Sequence, residues 1–224
     1  MRIFLLALAV AAMAAVPAKA GTMPVVVELF TSQGCSDCPP AEANLREIAE
    51  WPNVLALSFN VTYWDQLGWK DTFGKPEFTK RQYDYARGFH GEPYTPQVVV
   101  NGRSDLVGNV KSQIEQRIAV QQPLSGPMLS LSNGKLTVAA GAAPRHGADV
   151  WLVRYDPRLV NVAIGRGENA GTTLANRNIV HQLTRLGAWD GKAKSFDVPP
   201  ADKGLSTAVL VQDGEGPILS ALKG

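Results

Sequence analysis

Among 224 residues this chain has two cysteines, and they stand three apart as Cys35-Ser36-Asp37-Cys38, which constrains the fold more than any other feature. A disulfide closing so short a loop removes little entropy from the unfolded chain, so stabilisation is a weak reason to place one there. Met23 to Phe30 is a near-continuous β-branched and apolar run that suits a central strand covered on both faces. Thr31-Ser32-Gln33-Gly34 then reads as a turn. From Pro39 onward Ala41, Leu45, Ile48 and Ala49 recur at i, i+4, i+7 and i+8, one face of a helix ending near Trp51-Pro52. The cysteines therefore occupy a strand-to-helix junction, and a second strand from Val54 to Val61 completes a βαβ unit.

That placement matters because a thiol attacks a disulfide only as its thiolate. A helix N-terminus favours an anion, by about 0.3–1 kcal/mol at exposed sites, through its unpaired N–H groups and macrodipole. The two intervening residues bring the second sulfur against the first, where it can resolve a mixed disulfide. Asp37 opposes this by placing a negative charge within one turn of both sulfurs. Three readings of the pair stand side by side: redox activity, a structural disulfide, and metal binding. Two thiolates can hold copper(I), but Met23 and Met128 form no cluster with them, and zinc needs more ligands than are visible.

The first residues point to export. Arg2 precedes an apolar run from Ile3 to Val16, and Ala18-Lys19-Ala20 is a small-residue cleavage signature, so residues 1–20 read as a signal peptide and Gly21 as the mature start. The run is shorter than the ~20 residues a membrane span needs, and no later segment approaches that length, so no span is expected after cleavage. The expected location is periplasmic or secreted, where disulfides persist. Loss of Arg2 and Lys19 lowers Lys+Arg from 22 to 20, equal to the 20 Asp+Glu. With no net charge and no basic cluster, nucleic acid is not an expected partner.

Thr62 to Gly91 is rich in aromatic residues and reads as a helical insertion, with Pro76-Glu77 as a first turn and Phe78, Tyr85, Ala86 and Phe89 on one face. Pro96 to Val100 and Ser104 to Val107 flank Asn101-Gly102, a strong hairpin signal. Asn109 is placed to cap a closing helix through Val110, Ile114 and Ile118. Pro123-Leu124-Ser125-Gly126-Pro127 then marks a boundary, beyond which the periodicity changes to two. Leu129/Leu131 and Leu136/Val138 around Asn133-Gly134, then Val150–Tyr155, Val160–Ile164, Ile179–Leu186, Thr207–Gln212 and Pro217–Leu222, predict a small β-sandwich over 128–224 with its own core.

Residues 24–120 resemble the thioredoxin superfamily. The resemblance rests on the strand Val25 to Phe30, on Cys35-Ser36-Asp37-Cys38-Pro39, and on Tyr94-Thr95-Pro96-Gln97-Val98-Val99-Val100-Asn101-Gly102. It implies a cis proline, Pro96, beside the cysteines, with Thr95 before it in the substrate groove. Position gives the roles within the pair: Cys35, ahead of the helix, as the solvent-facing attacking thiol, and Cys38, carried into the first turn, as the covered, resolving one. Glu28 lies near where such proteins keep a buried acid that shuttles the resolving cysteine's proton. The whole chain is similar to a family of exported bacterial proteins known as a domain of unknown function. The expectation is thus an α/β thioredoxin-like domain (24–120) followed by a small all-β sandwich-like domain (128–224). The function implied is exchange with exported proteins that carry thiols or disulfides, and with a redox partner protein, without a cofactor. A non-catalytic binding module on the same frame, or copper(I) binding, is the alternative.

His90, His146 and His181 are scattered, and only His90 leads toward Pro96. Gly165-Arg166-Gly167-Glu168-Asn169-Ala170-Gly171 superficially matches a dinucleotide fingerprint, but no helix follows and no βαβ unit surrounds it, so it reads as a turn between strands. Its density of Arg166, Glu168 and Asn169 suits a binding loop.

Overall fold

Strand β1 (Val25–Thr31) runs into the cysteine loop, helix α1 (Cys38–Ile48) follows, and strand β2 (Val54–Asn60) pairs parallel with β1 from Val25↔Val54 to Thr31↔Asn60. The computed structural model in which this is seen describes residues 23–224, so the expected signal peptide lies outside the described residues. A 3-10 turn (Asp65–Leu67) and helix α2 (Pro76–Gly88) precede strands β3 (Gln97–Val100) and β4 (Ser104–Val107). Of the three residues between them Asn101 and Gly102 have positive φ, 52° and 61°, which Asn and Gly tolerate best, and the Arg103 N–H closes the turn on the Val100 carbonyl at 3.0 Å. Helix α3 (Lys111–Ala119) starts after Val110 rather than after Asn109, and no side chain caps it.

The remaining strands are β5 (Leu129–Ser132), β6 (Lys135–Val138), β7 (Ala148–Asp156), β8 (Val160–Ala163), β9 (Thr173–Asn176), β10 (Ile179–Trp189), β11 (Lys194–Asp197), β12 (Ser206–Gln212) and β13 (Ile218–Lys223). Four of them do not form a separate sandwich. They continue the first sheet, giving eight strands in the order β13-β12-β7-β10-β2-β1-β3-β4. This overturns the expected thioredoxin-like domain followed by an all-β sandwich: the described residues form a mixed sheet with three short helices, and no separate thioredoxin-like α/β arrangement is evident.

The physical cause is the junction at Asn178. Ile179 of β10 lies opposite Ser58 of β2 in parallel. Asn178 carries φ 52°, its carbonyl accepts the Ser58 N–H at 2.9 Å, and its Nδ2 donates to the Ala56 carbonyl at 2.7 Å. Asn tolerates the left-handed region better than most residues, so it can turn the chain and still satisfy the edge of β2.

Alternation along β1 decides what lies on each side of the sheet. Val27 and Leu29 face α1 and α3, packing with Ala41, Leu45, Ile48, Ile114 and Ile118. Val26 and Phe30 face α2 in a core that also holds Tyr155, Val180, Leu210 and Ile218, so it is shared across the expected boundary. The three-stranded sheet β11-β6-β5 covers a third cluster containing Leu136, Val150, Trp189 and Val209.

Candidate functional site

A disulfide joins Cys35 to Cys38, with their Cα atoms 5.4 Å apart. Cys38 is the first residue of α1, and Asp37 stands at the N-cap without a side-chain cap bond. Pro39 and Pro40 follow at the first helical positions and carry no N–H, so the end of the helix offers fewer donors to an anion than most N-termini do. The loop ahead is held by its own backbone. Cys35 N–H donates to the Ser32 carbonyl at 3.1 Å and Cys38 N–H to the Cys35 carbonyl at 3.2 Å. Gly34 is small for a reason: a Cβ there would stand 3.2 Å from the Cβ of Trp64.

Both cysteines are buried, each 1% exposed, whereas Ser36 and Asp37 between them are exposed. Cys35 therefore does not face solvent as its position ahead of the helix suggests. Its cover includes the turn between β8 and β9, where the Nδ2 of Asn169 donates to the carbonyls of Gln33 and Cys35, each at 2.9 Å. Nothing in the local sequence near residue 35 carries that information.

Thr95-Pro96 is a cis peptide bond. Phe30 pairs with Gln97, which brings Pro96 to the end of β1 where the chain enters the cysteine loop. The indole N–H of Trp64 donates to Thr95 Oγ1 at 2.8 Å, so Trp64 spans the gap between Thr95 and Gly34.

Glu28 is fully buried but lies on the face of the sheet away from α1. Arg81 Nε donates to its Oε1 at 2.7 Å and the Tyr85 hydroxyl bonds its Oε2. Arg81 also donates to Gln212 at 3.0 Å, so this network ties β1, α2 and β12 together.

The carboxylate on the cysteine side is Glu42. It sits one turn after Cys38 on the buried face of α1, with Ala41, Leu45 and Ile48. The alignment of i and i+4 places it beneath Cys38, with its side chain leaning back toward the helix N-terminus. Ser58 Oγ donates to its Oε1 at 3.2 Å, while its Oε2 has no partner. Burial pushes its pKa up to about 7, against the opposing pull of the Thr31 and Ser58 hydroxyls. Beside it Asp71, also raised by burial, accepts the Gln33 N–H at 2.7 Å and the Asn60 amide at 2.9 Å. A cleft of about 170 Å³ lined by Pro39, Glu42, Arg46, Thr173, Leu174 and Ala175 opens beside Glu42. The sequence signal for Glu42 was a lone acid inside an apolar helical stripe that also holds a cysteine.

The family described as "Protein of unknown function (DUF1223)" matches residues 26–212. The chain belongs to that family. The matched span takes in the cysteine loop, Glu42, the Thr95-Pro96 segment and the β8–β9 turn, so the family unit crosses the expected boundary as the sheet does. A crystal structure of a protein from Agrobacterium tumefaciens is 30% identical, with a TM-score of 0.76 over 90% of this chain and 94% of that one. HBP35 of Porphyromonas gingivalis is 17% identical with a TM-score of 0.57, covering 91% of this chain and 75% of that one, a likeness of fold alone. No curated protein matches the sequence.

The histidines stay apart from the site. His90 and His146 are exposed, and half-buried His181 has its pKa lowered by burial. Among the described residues no group of three or more His, Cys, Asp or Glu side chains is placed to hold a metal ion, and no helix is long and apolar enough to cross a membrane.

Proposed function

We propose that this DUF1223 protein is an exported thiol–disulfide oxidoreductase that works through the Cys35–Cys38 pair on exported proteins. The observation that carries the reading is Glu42: a buried carboxyl, half protonated near neutral pH, lies one helical turn from Cys38 with an oxygen unspent. A structural disulfide has no use for such a group, and burying a carboxyl with one oxygen unpartnered is costly. Export is supported by the apolar run Ile3 to Val16 and the Ala18-Lys19-Ala20 signature.

A thiolate of the partner attacks Cys35 Sγ, the Cys35–Cys38 bond breaks, and the electron pair leaves on Cys38 Sγ, which takes a proton from Glu42. A second partner thiolate attacks the partner sulfur of the mixed disulfide, and Cys35 leaves as a thiolate. The partner's two thiols are oxidised to a disulfide and the pair is reduced by two electrons. In the opposite direction Cys35 thiolate attacks a partner disulfide, Glu42 removes the Cys38 proton, and Cys38 attacks Cys35 to release the partner. Thr95 and Pro96 line the approach to the pair in this reading, and a separate thiol-bearing redox protein resets it.

Catalysis of insulin reduction by dithiothreitol, and of disulfide formation in a reduced, unfolded protein, tests the proposal on the chain from Gly21. Activity in either direction that is lost in both Cys35→Ser and Cys38→Ser is expected. An inert wild-type protein in both assays overturns the reading in favour of a binding module.

A further inference from the structure

We infer that the β8–β9 hairpin is a gate over the disulfide and that Asn169 is its latch; the inference concerns how the site proposed above is reached. A thiolate must approach a disulfide close to the line of the S–S bond, and two cysteines 1% exposed leave it no such path. Something must open, and the hairpin is built to do so. β8 and β9 pair only with each other, from Val160↔Asn176 to Ala163↔Thr173, and form a two-stranded sheet outside the eight-stranded one.

The turn that joins them is held to the cysteine loop mainly by polar contacts, with Ile164 at its start, 3% exposed, as its buried apolar side chain. Residues 165–171 are exposed except for Asn169, which is 7% exposed and aims inward. Both hydrogens of its amide are spent on the carbonyls of Gln33 and Cys35. Its backbone carbonyl accepts the Thr172 hydroxyl at 2.6 Å and the Thr172 N–H at 3.1 Å. Glu168 adds a longer bond, accepting the Ser36 N–H at 3.3 Å at the surface. Gly165 and Gly167 rest on the ring and Cβ of Trp69, whose indole N–H donates to Gln33 Oε1 at 2.9 Å. The base of the hairpin is anchored separately, by Arg46 donating to the Ala175 carbonyl at 2.7 Å. Segments with few buried apolar contacts open at a fraction of the cost of global unfolding, so the turn can lift while the base stays docked.

The latch binds backbone carbonyls, which are the same in the oxidised and reduced pair. It therefore governs rates in both directions and leaves the equilibrium alone. The test follows reduction of the oxidised protein, from Gly21, by excess dithiothreitol, with free thiols counted by a maleimide-polyethylene glycol shift, and separately its equilibrium with glutathione buffers. Asn169→Ala loses two hydrogen bonds and is expected to be reduced about tenfold faster, and Thr172→Val, which loosens the latch without removing it, about threefold faster. Both should keep the wild-type glutathione equilibrium within about twofold. Reduction rates of both variants at the wild-type value overturn the gate. So does an acceleration matched by an equal shift of the equilibrium, because Asn169 would then be stabilising the disulfide loop itself. Should Asn169→Ala fail to fold, Thr172→Val decides alone. The gate and the enzymatic reading fail separately: accelerated reduction in a protein inert toward insulin sinks only the second, and an active protein indifferent to both substitutions sinks only the first.

Discussion

Glu28 and Glu42 are both buried carboxyls at the central strands, and the two faces of the sheet give them opposite surroundings. On the α2 face Glu28 meets a guanidinium and a phenol, and the three groups cross-link β1, α2 and β12. On the α1 face Glu42 meets hydroxyls and another acid, and one of its oxygens has no partner. Burial alone does not make an acid a proton carrier; the partner decides. Glu28 is spent on a guanidinium and a phenol, whereas Glu42, pushed up by burial to about 7, can change state near neutral pH.

The comparison predicts its largest effect on the paired face. Arg81→Met strands the Glu28 charge and should cost about 3–5 kcal/mol in urea unfolding, most of it recovered when Glu28→Gln is added. A single-variant cost below about 1 kcal/mol would remove the distinction between the faces. The next effect is at Glu42, where burial lifts the folded pKa from the ordinary glutamate value of 4.5 to about 7. A raised folded pKa gives stability that is complete below the unfolded pKa and is lost as pH rises through the folded one. Unfolding free energy of the wild type relative to Glu42→Gln should therefore fall by about 3 kcal/mol between pH 4.5 and pH 8, the worth of the shift at 1.36 kcal/mol per unit. A difference that stays flat with pH would mean that Glu42 does not titrate in this window. The smallest effect is at Ser58, whose hydroxyl holds the Glu42 pKa down. Ser58→Ala should raise it further and cost about 1 kcal/mol, read by carbon NMR of the Glu42 carboxyl through a pH titration. An unmoved titration would leave Ser58 out of the pocket.

Much of the first half of the chain was legible because its elements are local. Period and punctuation placed β1, α1, β2, α2 and the first Asn-Gly hairpin close to where they lie. The period-two pattern of the second half found β7, β10 and β12 but could not say which edge they join, since alternation reports two faces and not a neighbour. The join depends on one left-handed residue, Asn178. β9 (Thr-Leu-Ala-Asn) and β11 (Lys-Ser-Phe-Asp) were missed because neither alternates over enough residues to register. At the site, the disulfide loop and Thr95-Pro96 could be read from motifs. The burial of Cys35 could not, because the loop is held in part by Asn169, 134 residues further on, which donates to the Cys35 carbonyl. Glu28 was read as the acid near the resolving cysteine from its distance along β1, and the parity of the strand sends its side chain to the face away from α1.

The assignment of roles within the pair, with Cys35 forming the bond to the partner and Cys38 releasing it, is the claim on which the rest of the account depends. Reduced Cys38→Ser and reduced Cys35→Ser, each incubated with insulin and quenched with alkylating agent, test it by non-reducing gel and mass spectrometry. Cys38→Ser is expected to accumulate a mixed disulfide with an insulin chain, because no second thiol resolves it, and Cys35→Ser to accumulate none. Equal trapping by both variants, or trapping by Cys35→Ser alone, would contradict it.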